Sequence, residues 1–139
     1  MGGGYLGSYR NTEGSSNASV PDSNIDDNAR LLAKRYRLTS SGYFGSKGNG
    51  KKVRIINCTN PIDVAEYCYQ TLGRGGVMKT ALNSKGLKVH MSRLADGTLV
   101  TYRQITSSAG SPAVEIRLTG REHIVKEQKI HFVMEATLW

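Results

Sequence analysis

Seven side chains that can transfer protons or hold a phosphate recur in the C-terminal half of the chain, within short runs that alternate polar and apolar residues. They are His90, Thr101, Arg103, Glu115, Arg117, Lys129 and His131. Alternate side chains of an extended strand point to the same face, so such runs separate these residues from their apolar neighbours. We predict that all seven lie on one face of a sheet, and that the opposite face is apolar.

Cleavage of RNA by its own 2′-hydroxyl requires this combination of groups. A base removes the 2′-hydroxyl proton, an acid protonates the leaving 5′-oxygen, and cations stabilise the charge that develops around phosphorus. His90, Glu115 and His131 are the candidates for proton transfer, because histidine titrates near neutral pH and glutamate can act as a base. Arginine and lysine at positions 103, 117 and 129 are the candidates for holding the phosphate. The reaction requires no metal and implies no cofactor.

Metal-binding patterns are weak in this sequence. It contains no HExxH motif and no paired-cysteine motif, and its carboxylates are widely spread, which disfavours a two-metal nuclease. Two cysteines, Cys58 and Cys68, are too few for a disulfide scaffold or a structural zinc site, although one bridge between them stays open. A solvated face of an antiparallel sheet is the alternative interpretation of the polar runs.

The pattern of the chain indicates the elements that would position these residues. Residues 52–58 are predicted as a strand, and 61–72 as a helix that begins after Asn60 and stops at Gly73. Residues 87–105 are predicted as a hairpin with a two-residue turn at Asp96-Gly97, which sets His90 opposite Arg103. Further strands are predicted at 112–118 and 128–134. The fold class that follows is α+β, with N-terminal helices packed on a twisted antiparallel sheet of about four to five strands.

Charge and composition divide the chain in two. Residues 1–40, rich in Gly, Ser and Asn at their start, are predicted as a flexible lead-in, and residues 41–139 as the functional domain. Residues 31–139 carry 17 basic and 7 acidic side chains, a net charge of +10, which attracts polyanions. Nucleic acid is therefore the first expected partner and an acidic protein the second; a basic domain with neither partner is the third interpretation. No run of residues is apolar enough to suggest a membrane helix.

Three segments in sequence order resemble the C-terminal toxin domains of bacterial polymorphic toxins, such as those of contact-dependent inhibition (CdiA-type) proteins. They are YFGSKGNGKKVRIINCTNPIDVAEYCYQTLGRGG, ADGTLVTYRQITSSAGSPAVEIRL and QKIHFV, which together extend over residues 43–134. The resemblance implies the fold of the barnase–EndoU–colicin–RelE ribonuclease superfamily and metal-independent cleavage of RNA, with tRNA as the expected substrate. It also implies a cognate immunity protein, which the charge predicts to be acidic. Such a domain would be secreted or displayed on the cell surface at the end of a large exoprotein, and would act in the cytoplasm of the target cell.

The resemblance also distributes roles among the residues. It implies that Thr101, Arg103 and His131 lie in the cleft, with Ser107 and Ser108 beside them and Lys47 at the rim. The predicted catalytic residues are His131, Arg103, Thr101, Glu115 and His90. The predicted RNA-binding residues are Lys47, Lys51, Arg54, Ser107, Ser108, Arg117 and Lys129. Two other functions remain open at this point: a non-catalytic nucleic-acid-binding module and a metal-dependent DNase toxin.

Overall fold

The computed structural model describes residues 21–106, 110–120 and 122–135. These residues form two helices and seven strands, and all seven strands belong to one sheet. The helices are α1 (Ile25–Leu32) and α2 (Pro61–Leu72). The strands are β1 (Ser46–Lys47), β2 (Val53–Cys58), β3 (Val77–Leu82), β4 (Lys88–Arg93), β5 (Leu99–Arg103), β6 (Ala113–Arg117) and β7 (Gln128–Met134). Their order across the sheet is β1-β2-β7-β6-β5-β4-β3.

The sheet is mixed, which corrects the predicted antiparallel architecture. Strand β7 returns along the chain to lie parallel to β2, with Ile56 beside Phe132, while the other described neighbours pair in antiparallel fashion. The prediction of N-terminal helices is also wrong, because α2 follows β2 and only α1 precedes the sheet. Pairing of β2 with β7 joins residues about 75 positions apart, and an alternating pattern contains no information on that choice of neighbour.

Two strands that the sequence did not predict bring the total from about four or five to seven. Strand β3 lies at one edge of the sheet, and its residues are exposed apart from a half-buried Val77. Because neither of its faces is covered, the segment VMKTAL lacks the alternation by which a half-buried strand is recognised. Strand β1, at the other edge, has two exposed residues within a glycine-rich segment.

Helix α2 packs on one face of the sheet, α1 packs against α2, and together they close a single apolar core. The side chain of Asn24 caps α1 by accepting a hydrogen bond from the backbone N–H of Asp27 at 2.8 Å. Helix α2 has the predicted bounds, with Pro61 in its first turn and Gly73 at its end. Fully buried side chains from both layers meet between the helices and the sheet: Ile25, Leu32, Leu72, Val100, Val114, Ile116, Ile130 and Phe132. Burial of these apolar surfaces is the main stabilising contribution.

Residues 21–40 belong partly to this core. The predicted lead-in covers residues 1–40, of which the structure describes 21–40. In that part Ile25, Ala29 and Leu32 have no exposed surface. Asn28 on the same helix donates hydrogen bonds to the carbonyls of Leu72 and Arg74 at 2.8 and 2.9 Å. Helix α1 therefore folds as part of the sheet domain.

Both cysteines are free and buried. Burial raises the pKa of the Cys68 thiol to about 12, and burial also raises the pKa of the Cys58 thiol. Among the described residues, no helix combines the length and the apolar character needed to cross a membrane.

Candidate functional site

The face of the sheet that points away from both helices carries most of the predicted polar residues. Paired residues of neighbouring strands share a face, so the register assigns them directly. One row across four strands contains Met91, Thr101, Glu115 and Lys129. A second row contains Arg103, Ala113 and His131, and a third contains Leu99 and Arg117. We call this surface the polar face; six of the seven residues expected together lie on it, all except His90.

Arg103 and His131 occupy the two ends of one row, with Ala113 between them. Adjacent strands are about 4.8 Å apart, so the backbones of Arg103 and His131 are separated by about 10 Å. Ala113 contributes just a methyl group to the space between the two longer side chains. Ala113 is just 2% exposed, so no open gap lies over it; a phosphate would bind above the sheet surface, with the guanidinium on one side of it and the imidazole on the other.

Glu115 holds two arginines on the polar face. Its Oε1 lies 3.6 Å from Nη1 of Arg103, and its Oε2 lies 3.7 Å from Nε of Arg117. Glu115 and Arg103 are three-quarters and two-thirds buried respectively, whereas the Arg117 side chain is 66% exposed. The carboxylate therefore orients Arg103 within the row that also contains His131, while Arg117 stays largely in solvent.

His131 is half-buried at the middle of β7. Its Nδ1 lies 3.0 Å from Oγ of Ser111, so Nε2 is the ring nitrogen left for a substrate. Burial lowers the pKa of the His131 imidazole below 6.5, and the positive charge of Lys129 lowers it further. The imidazole is consequently neutral at pH 7, and it can take up a proton there.

The structure separates His90 from the polar face, which corrects the predicted pairing with Arg103. The loop of the hairpin has three residues: Leu94 N–H donates to the carbonyl of Thr98 at 2.9 Å, and Gly97 closes the turn with a φ of 91°. This shifts the register by one residue, so His90 pairs with Tyr102. A shift of one residue moves a side chain to the other face, and His90 therefore lies on the helix side.

Three of the predicted RNA-binding cations lie near the β1 edge, away from His131. Arg54 and Lys47 pair with each other on the helix side of the sheet, and Lys51 lies in the turn between their strands. The guanidinium of Arg54 donates to the carbonyls of Phe44 and Gly45 at 3.0 and 2.8 Å, which gives this side chain a structural role. All three line an open pocket of about 590 Å³, so the predicted RNA-binding residues fall into two separate groups.

The remaining predicted residues differ in how far the structure describes them. Ser107 and Ser108 lie outside the described residues. Thr101 is 6% exposed, in the row between Met91 and Glu115. Sequence reasoning missed the role of Ala113 as a spacer and did not connect Ser111 with His131. The short segment Ser111-Pro112-Ala113 contains both residues, so small side chains at the start of a strand were the available signal.

Within the described ranges, no group of three or more histidine, cysteine, aspartate or glutamate side chains is arranged to hold a metal ion. Comparisons of the chain with protein-family models, curated proteins and solved structures gave no match.

Proposed function

We propose that this domain is a toxin ribonuclease that cleaves RNA, with tRNA as the expected substrate, by attack of the 2′-hydroxyl on the adjacent phosphate. One observation carries the proposal: a neutral histidine, His131, and a carboxylate-oriented arginine, Arg103, lie at the two ends of one row with Ala113 between them. An imidazole and a guanidinium that flank one phosphate would supply a base and a charge-stabilising group.

In the proposed mechanism His131 is the general base. The Ser111 hydroxyl accepts a hydrogen bond from Nδ1–H, which leaves the lone pair on Nε2 free to take the 2′-hydroxyl proton. The 2′-oxygen then attacks phosphorus, the bond from phosphorus to the 5′-oxygen breaks as solvent water protonates that oxygen, and the product carries a 2′,3′-cyclic phosphate. Arg103 binds the phosphate and stabilises its additional negative charge, and Glu115 keeps the guanidinium in place.

The charge of the chain supports an RNA substrate. Residues 31–139 have a net charge of +10, and the polar face presents Lys129 and Arg117 around the Arg103–His131 row. These cations would contact phosphates next to the cleaved bond, and each contact releases counterions from the RNA. The resemblance of the chain to polymorphic toxin domains supports the same substrate and an origin at the C-terminus of a secreted or surface-displayed protein.

The experiment is incubation of the purified chain with total tRNA in excess EDTA, followed by analysis of the new 3′ ends. We expect cleavage that is unaffected by the chelator, with products that end in 2′,3′-cyclic phosphate. Activity that disappears with EDTA and returns with Mg²⁺ would contradict this mechanism. The same protein incubated with supercoiled plasmid tests the alternative of a metal-dependent DNase, and binding of RNA without any cleavage would favour the non-catalytic module.

We also propose an acidic immunity protein that covers the polar face. Electrostatic attraction between oppositely charged surfaces increases the association rate and makes it sensitive to salt. The association rate of such an inhibitor should fall steeply as the ionic strength rises. A rate that is independent of salt would contradict electrostatic steering.

A further inference from the structure

A pocket of about 270 Å³ opens on the helix side of the sheet, where β3 and β4 extend beyond α2. Its lining includes three rings, those of Tyr69 from α2, His90 from β4 and Tyr102 from β5. It lies on the opposite side of the sheet from Arg103 and His131, and no residue of the proposed catalytic row contributes to it.

The three rings form one aromatic cluster. The centroid of the His90 ring lies 5.5 Å from that of Tyr102 and 6.3 Å from that of Tyr69, and the two tyrosine rings are 5.7 Å apart. The His90 and Tyr102 planes differ by just 21°. Nδ1 of His90 lies 2.8 Å from Oγ1 of Thr80, which fixes the orientation of the imidazole and leaves Nε2 open. His90 is half-buried, so part of its ring faces the pocket.

Polar groups surround the aromatic cluster. Glu66 and Gln70 line the pocket from α2, and Thr80 lines it from β3. Lys79 borders the pocket through its backbone, because the register places its side chain on the polar face beside Met91.

The hydroxyl of Tyr102 is buried, and it has no hydrogen-bond partner among the described residues. Burial raises the pKa of this hydroxyl, and the nearby Gln104 side chain offsets part of that increase. Tyr69 and Tyr102 are 5% and 3% exposed, so the half-buried ring of His90 is the main aromatic surface that the pocket offers, next to hydrogen-bond donors and acceptors.

We infer that this pocket binds a nucleobase. A base has two flat faces that stack on aromatic rings and an edge that both donates and accepts hydrogen bonds. The volume lies just below the range of pockets for drug-sized ligands, which suits a single nucleoside. The carboxylate of Glu66 suits the N–H groups of a base and disfavours a phosphate. The choice of a nucleobase rests on the proposed RNA-directed function. It gives the RNA a second contact, on the side of the sheet opposite Arg103 and His131.

The test is titration of the full chain with 5′-AMP, 5′-GMP, 5′-CMP and 5′-UMP by isothermal calorimetry, and mapping of the site by NMR. These mononucleotides contain no internucleotide phosphodiester, so the proposed cleavage does not consume them. We expect at least one to bind and to shift the resonances of Tyr69 and His90. Substitution His90→Ala should weaken binding by about 5- to 100-fold, the range for loss of a base-stacking partner. Tyr67→Ala is the matched control, because Tyr67 is an exposed aromatic residue of α2 outside the pocket.

Ribose 5-phosphate is the control ligand, since it carries the phosphate without the base. The inference is overturned if no mononucleotide binds, if His90→Ala leaves the affinity unchanged, or if ribose 5-phosphate binds as tightly as the nucleotides. RNA cleavage by a protein that binds no mononucleotide would overturn this inference and leave the proposed function in place. Binding that depends on His90, in a protein that cleaves no RNA, would support the pocket and contradict the proposed function.

Discussion

The Nδ1 atom of His131 lies 3.0 Å from the hydroxyl oxygen of Ser111, which precedes the neighbouring strand by two residues. Because this contact occupies one ring nitrogen, it determines which nitrogen can meet a substrate. From the sequence alone, His131 could be an ordinary surface residue of a strand. The contact with Ser111 and burial in the sheet give its imidazole a defined orientation. This arrangement and the packing around it lead to five predictions.

Loss of either end of the Arg103–His131 row should abolish activity without unfolding the protein. We expect His131→Ala and Arg103→Ala each to reduce RNA cleavage by about 10²- to 10⁴-fold, the usual effect of losing a group that acts in proton transfer or on the transition-state charge. Both residues lie on the polar face, away from the apolar core, so the melting temperature should change by no more than a few degrees. Cleavage assays and thermal melting of the same preparations check both statements.

Lys126→Ala is the control for this pair, because Lys126 is an exposed cation in the loop before β7. It should leave both cleavage and melting unchanged. Full activity of either His131→Ala or Arg103→Ala would remove that residue from the proposed mechanism.

The pH dependence of cleavage should report the lowered pKa of His131. As a general base His131 acts in its neutral form, so the rate should rise with pH to a plateau, with the midpoint of this rise below pH 6.5. Lys129→Met removes the charge that disfavours the imidazolium, so the midpoint should move to higher pH. A rate that falls as the pH rises through this range would instead assign His131 as the acid.

Folding stability should respond to the same ionisation. The unfolded chain binds the proton of His131 at about pH 6.5, whereas the folded chain binds it at lower pH. Lowering the pH through that interval therefore destabilises the folded state at this site. Comparison of denaturant unfolding of the parent and of His131→Ala at pH 5 and pH 7.5 isolates this contribution, which should be absent in the variant.

Ser111→Ala should slow cleavage by about five- to tenfold, which corresponds to the loss of one hydrogen bond of about 1 kcal/mol that orients the base. Ser111→Thr keeps a hydroxyl at this position and should restore most of the rate. The comparison is made on kcat, because the orientation of the base affects the chemical step more than binding. Equal rates for Ser111→Ala and Ser111→Thr would show that the hydroxyl does not orient His131.

Gln128→Leu should destabilise the fold. The Gln128 side chain is 1% exposed; its oxygen accepts a hydrogen bond from Phe44 N–H, and its nitrogen donates to the carbonyls of Gly42 and Lys126. Leucine preserves much of the volume but leaves Phe44 N–H and the Lys126 carbonyl without this partner, while the Gly42 carbonyl keeps its hydrogen bond from Lys126 N–H. We expect the free energy of unfolding to fall by about 3 kcal/mol. Glu127→Gln, at the neighbouring half-exposed position, should change it by less than about 0.5 kcal/mol.

The sequence by itself determined those helices and strands that bury one face and expose the other. Helix α2 and strands β2, β6 and β7 lie at or within one residue of their predicted bounds, since a core-facing stripe creates a regular apolar period. The alternation of β5, β6 and β7 also sufficed to group Arg103, Glu115 and His131 on one face. The edge strand β3 lacked that signal because both of its faces are exposed.

The tertiary structure alone decided three other features. Pairing of β7 with β2, and hence the mixed sheet, depends on contacts between segments about 75 residues apart, which no local pattern encodes. A three-residue loop at Asp96-Gly97, in place of the predicted two-residue turn, shifted the register by one residue and moved His90 to the helix side. Arg103 and His131 lie on either side of Ala113 because β6 pairs with both β5 and β7. The residue types are written in the sequence, but the spacing across strands arises only when the sheet assembles.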